Sequence, residues 1–144
     1  MFLFDEVDFV QTQNLPLSEL WAFLPIGYLF TILIETPVLL VGLSPKVSLK
    51  QKLWCGAWLT ACTYPIVILV LPALFFGQSR ALYLFVAETF APVAECALFW
   101  LAFRNKNLLE TADWVRCLIA VVVANLASFG AGEMLNSYGW FGLF

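Results

Sequence analysis

The chain contains no histidine among its 144 residues. That absence removes histidine-ligated haem, the usual zinc enzyme sites and any imidazole acid or base. Charge is scarce as well. Asp, Glu, Lys and Arg make up 12% of the chain, where about a quarter is usual for a soluble domain. Seven Lys and Arg stand against ten Asp and Glu, a net charge of −3, so no basic footprint exists for nucleic acid. None of the four cysteines, Cys55, Cys62, Cys96 and Cys117, forms C-x-x-C, which argues against a membrane thiol oxidase. They read as small buried apolar residues, although Cys55 and Cys117 at the inner rim are open to acylation. There is no glycine-rich phosphate loop, no G-x-S-x-G and no H-E-x-x-H. Without imidazole or a clear nucleophile an enzyme is the weaker expectation, and no cofactor is expected. A hard cation or a proton is the ligand that the remaining oxygen groups suit.

What abounds is hydrocarbon. The chain is 62% hydrophobic with a mean hydropathy of +0.90. A bilayer core of roughly 30 Å needs about 20 apolar residues in a helix. Four stretches reach that length, at about residues 20–43, 53–77, 81–103 and 114–135. They show no period-2 alternation, so they are not barrel strands. The expected fold is all-α, a polytopic membrane protein with a four-transmembrane-helix bundle over residues 17–136. It is flanked by an acidic and apolar segment, 1–16, and a short aromatic tail, 137–144. The first segment lacks the basic start and cleavage site of a signal peptide.

The connections carry the charge. Six of the seven basic residues, Lys46, Lys50, Lys52, Arg104, Lys106 and Arg116, lie at the first and third connections. The positive-inside rule therefore places loops 44–52 and 104–113 on the cytoplasmic side and both termini outside. Aromatics form two belts. Trp54, Trp58, Trp100 and Trp114 fall near the inner ends, and Trp21, Tyr83, Tyr138 and Trp140 near the outer ends, where amphipathic rings prefer to sit.

Three acids stand well inside the spans: Glu35, Glu88 and Glu95. An acid at the helix centre costs about 2.5–3.5 kcal/mol, and ionisable residues there are functional candidates. By the helical rise, Glu35 and Glu95 lie about 5 Å to the inner side of their spans' middles and Glu88 about 6 Å to the outer side. Thr63 and Asn125 fall near the middles of the second and fourth spans, which points to a polar core. No Lys or Arg lies deep enough to pair with the acids. Each carboxyl must then be protonated, hydrogen-bonded, or matched by a cation from outside the chain. Glu133, near the outer rim, reads as a surface charge.

The rest reads as packing. Pro37, Pro65, Pro72 and Pro92 lie inside spans and free the carbonyls of Leu33, Ala61, Ile68 and Glu88. Thr36, Thr63 and Thr89 stand near enough to satisfy them. Ala120, Ala124, Ala127 and Ala131 form a small-residue face beside Ser128 and Gly132, and Gly56 with Thr60 forms another, as helix-packing surfaces. A shift of 60 residues aligns Glu35 with Glu95, Lys46 with Lys106, Leu49 with Leu109 and Trp54 with Trp114. A Leu/Phe/Ala-rich chain yields such matches by chance, and coincidence is the preferred reading. A true duplication would bring Glu35 and Glu95 together about a pseudo-two-fold axis. The functional expectation is binding or movement of a cation or proton by a homo-oligomer. The alternative is an accessory or assembly subunit among other membrane subunits, in which bulky residues at Ala124 or Ser128 would disrupt association. The lipid bilayer is the partner in either case.

Overall fold

A computed structural model describes residues 17–138. The 1–16 segment and nearly all of the 137–144 tail lie outside the described residues. The described chain is all-helical, with four spans long and apolar enough to cross a membrane. α1 is Leu17–Gly42 and α2 is Leu49–Pro65. A π-helical turn, Ile66–Val70, and one further α-turn, Leu71–Leu74, complete the second span. α3 is Arg80–Phe103 and α4 is Thr111–Ser137.

The second span starts four residues before the expected Leu53. Ser48 caps α2 by accepting from the Gln51 backbone, and the Gln51 side chain accepts from the Ser48 backbone N–H. This capping box satisfies two end donors, so Lys50 and Lys52 join the helix rather than the loop. The second span ends at Leu74, three residues before the expected Gly77, which takes a positive φ of 79° in the turn that follows, where a side chain would be strained.

α1 packs on α2 and α4, while α3 packs on α4 and α2. The loops after α1 and α3 share one end of the bundle. There Lys46 reaches Glu110 at 2.7 Å and Asp113 at 2.8 Å. These contacts hold the Lys46 ammonium above its usual range, the Asp113 hydrogen bond contributing most. The same end closes the C-terminus of α1. Lys52 donates to the carbonyls of Leu40 and Leu43, and Arg116 to those of Val41 and Gly42. Cations suit the bare carbonyls and negative end of a helix.

An apolar cluster fills the half of the bundle nearer these loops: Leu39, Leu43, Leu59, Phe99, Phe103 and Val121, with Cys55 and Cys117 among them. The Cys117 sulfur accepts from the Ser44 amide at 3.4 Å. Neither buried thiol lies on the lipid-facing rim that acylation requires. Trp114 likewise leaves the expected belt, packing edge-on against Phe99 at 6.0 Å. Trp21, Trp54, Trp100 and Tyr138 are exposed, as anchors should be.

The freed carbonyls are not served by the expected threonines. Thr89 donates to Phe85 and Thr63 to Leu59, each one turn back, while the buried Thr36 hydroxyl has no partner. The second span resolves the problem through its π turn. The Leu71 amide bonds the Ile66 carbonyl five residues back. In that register the Val67 carbonyl faces Pro72, which has no N–H. The Tyr83 hydroxyl of α3 supplies the missing bond at 3.1 Å. Pro25 also lies within α1, a fifth intrahelical proline.

Candidate functional site

The bundle's polar centre joins all four spans. Glu35 on α1 and Glu95 on α3 are both almost fully buried, at 2% exposure each. Glu35 Oε2 accepts from the Thr60 hydroxyl and Oε1 from the Ser128 hydroxyl, both at 2.7 Å. Glu95 Oε1 accepts from the Thr63 hydroxyl at 2.7 Å, and Oε2 from the Asn125 amide at 2.8 Å. Every carboxyl oxygen of the pair thus has one donor.

The helix period explains the meeting. Thr60 and Thr63 are three apart on α2, and Asn125 and Ser128 are three apart on α4, so each pair shares a face. Each carboxyl takes one donor from each of these helices. The two acids therefore lie between the same two faces, each taking one earlier and one later donor and so lying at about the same depth. Among the described residues no lysine or arginine forms an ion pair with either carboxyl.

The donors have a second option. The Thr60 hydroxyl is 2.9 Å from the Gly56 carbonyl and that of Ser128 is 2.9 Å from the Asn125 carbonyl. Thr63 is 3.2 Å from the Leu59 carbonyl. A hydroxyl carries one proton and can turn it either way. When a carboxylate is ionised the hydroxyl donates to it. When the carboxyl carries a proton, it donates to the hydroxyl, which turns to its backbone carbonyl. Both states leave every donor satisfied. Asn125 differs, since its two N–H groups already divide between Glu95 and the Val121 carbonyl at 3.0 Å. A proton on Glu95 therefore belongs on Oε1, facing Thr63.

Small residues make this approach possible. A Cβ on Gly56 would strike the Thr36 side chain, and one on Gly42 would lie 2.6 Å from Ala120 Cβ. Gly27 seats the Tyr64 ring in the same way. Of the five candidates from the sequence, Glu35, Glu95, Thr63 and Asn125 come together. Glu88 does not, being half-buried two turns earlier on α3. Thr60 and Ser128 are the two donors that sequence reasoning missed. Both were read as packing residues, because small polar side chains suit tight helix contacts equally well. Their spacing from Thr63 and Asn125 was the available signal.

Among the described residues no three acidic or cysteine side chains gather into a metal-binding group. Comparisons with protein-family models, curated proteins and solved structures find no match to this chain.

Proposed function

We propose that this small integral membrane protein binds protons at the Glu35–Glu95 pair and moves them across the bilayer as a homo-oligomer. One observation carries the reading. Two acids are buried without any basic partner, and their hydroxyl donors each have an alternative acceptor. That arrangement accommodates a proton arriving or leaving without stranding a polar group, which would add about 1–3 kcal/mol to the cost of burying the charge. A metal ion would have to displace these short hydrogen bonds, whereas a proton needs no added space. The loops that share the basic end face the cytoplasm, and both termini face outward, by the positive-inside rule. The test is proton uptake by the purified protein after a step from alkaline to acidic pH. Glu35→Gln with Glu95→Gln should abolish the part of the uptake that the pair supplies. Equal uptake by wild type and the double variant would overturn the assignment.

A second reading keeps one specific support. A mostly apolar surface groove runs between α1 and α4, lined by Val38, Gly42, Val115, Ile119, Ala120 and Val123, with the charged Arg116 also in its wall. Its small-residue floor suits a helix of another subunit, as an accessory protein would require. Ala124 is buried in the core, so a bulky residue there reports on folding and not on association. Tryptophan at Val123 is the better probe. It should release a partner subunit under this reading and leave proton uptake intact under the first.

A further inference from the structure

The two carboxyl half-sites correspond to one another. The buried positions Gly27, Glu35 and Leu39 of α1, with Leu43 just past its end, recur in α3 as Ala87, Glu95, Phe99 and Phe103. The offset is 60 residues throughout. The buried positions of α2, Cys55, Gly56, Leu59 and Thr60, recur in α4 as Ala120, Val121, Ala124 and Asn125. Here the offset is 65. At that offset Thr63 falls on Ser128. The five additional residues lie between Phe103 and the body of α4, where the chain makes the turn Arg104–Lys106, a left-handed Asn107 and an extra start to the helix. Exchanging the two hairpins also preserves which helices touch.

The hydrogen bonds obey the same exchange. Glu35 takes Thr60 from its own hairpin and Ser128 from the other. Glu95 takes Asn125 from its own hairpin and Thr63 from the other. Each donor maps onto its counterpart. The 60-residue matches at Leu49/Leu109 and Trp54/Trp114 are not part of this relation. Trp54 faces outward while Trp114 packs on the core. The relation is one of position and pairing, not of residue identity, which is why a search for identities missed the register change.

From this we infer that an internal two-fold axis along the membrane normal passes between Glu35 and Glu95, making them the two halves of one site that holds a single shared proton. The inference rests on the proton-binding reading and adds how many protons the site keeps. Two like charges between the same two helix faces in a low-dielectric centre cannot both persist without a cation. One proton leaves a single negative charge, and either half can hold it with every donor satisfied. The groups around the pair do not break this balance. α2 contributes Thr60 and Thr63, α3 the Cys96 thiol beside Glu95, and α4 Asn125 and Ser128. Glu88 and Glu133 lie toward one end, with Asp113 and Arg116 at the other.

Infrared titration of the carboxyl stretch, on the full chain in lipid vesicles, tests it. Two interacting sites lose protons in two macroscopic steps separated by more than about one pH unit. Glu35→Gln and Glu95→Gln should each reduce these to one step. Both single steps should lie close together and near the lower wild-type step, because Gln stands in for a protonated neighbour. Single steps far apart, or a remaining carboxyl unmoved by loss of its neighbour, would overturn the shared site while leaving proton binding in place. Both carboxyls ionised at every pH would defeat the proton-binding reading as well. Should a Gln variant not fold, the wild-type curve decides alone. Two separated steps support the shared proton, and one two-proton step refutes it.

Discussion

Replacing Glu35 and Glu95 by leucine should not cost the same, although both acids are equally buried. In Glu35→Leu the freed hydroxyls of Thr60 and Ser128 turn to the Gly56 and Asn125 carbonyls, each already 2.9 Å away. No donor is stranded, and the change stays within about 1 kcal/mol, as exchange of a polar group for a similar-sized apolar one can. In Glu95→Leu the Thr63 hydroxyl turns to the Leu59 carbonyl. Asn125 has no such freedom. One N–H remains on the Val121 carbonyl and the other loses its acceptor. An unmade buried hydrogen bond costs about 1–3 kcal/mol, and measured side-chain bonds within membranes average about 0.6 and reach about 1.7. Glu95→Leu should therefore exceed Glu35→Leu by roughly 1 kcal/mol. Adding Asn125→Leu to Glu95→Leu should recover most of that excess. Reversible unfolding in mixed micelles, followed by circular dichroism, measures all three. Equal costs for the two single variants, or a larger one for Glu35→Leu, would refute the donor assignments.

Further outcomes follow from other contacts. Tyr83→Phe leaves the Val67 carbonyl bare and should destabilise by about 1–2 kcal/mol; Pro72→Ala restores an N–H at that register, so the double variant should cost less than Tyr83→Phe alone in the same unfolding assay. Gly42→Leu must push α1 away from Ala120 and should cost about 1–3 kcal/mol, whereas Gly130→Ala, which meets open space, should be silent. Cysteine substituted at Lys50 should react with an impermeant thiol reagent only from the cytoplasmic side, and cysteine at Ser79 only from the opposite side. The reverse pattern would invert the proposed topology.

The four spans were legible because length and hydropathy alone dictate them in a bilayer. Their ends were less so. The Ser48–Gln51 capping box extends α2 into what charge marks as a loop, since lysines read as connection whether or not they lie in a first turn. The acids at 35 and 95 stood out because burial of an unpaired charge is costly wherever it occurs. Their convergence was not readable, because one chain does not reveal how each helix is rotated about its axis. Glu88 shows the limit from the other side. It shares a helical face with Glu95 by spacing, yet the face turns toward the centre only at the depth of Glu95. The threonines near the prolines failed as carbonyl partners for a local reason. A hydroxyl on a helix reaches the carbonyl three or four residues before itself; for Thr63 and Thr89 the freed carbonyls lay elsewhere, while Thr36 stands three residues after the freed Leu33 carbonyl and still makes no bond.

The account's central claim is that the Glu35–Glu95 pair passes protons. The most direct measurement is acidification of vesicles holding this chain alone, driven by a potassium diffusion potential and read by a trapped pH dye. The account predicts acidification with wild type and its loss, at unchanged helix content and vesicle integrity, in both Glu35→Gln and Glu95→Gln. Undiminished acidification in the two Gln variants, or none with folded wild type, would contradict it.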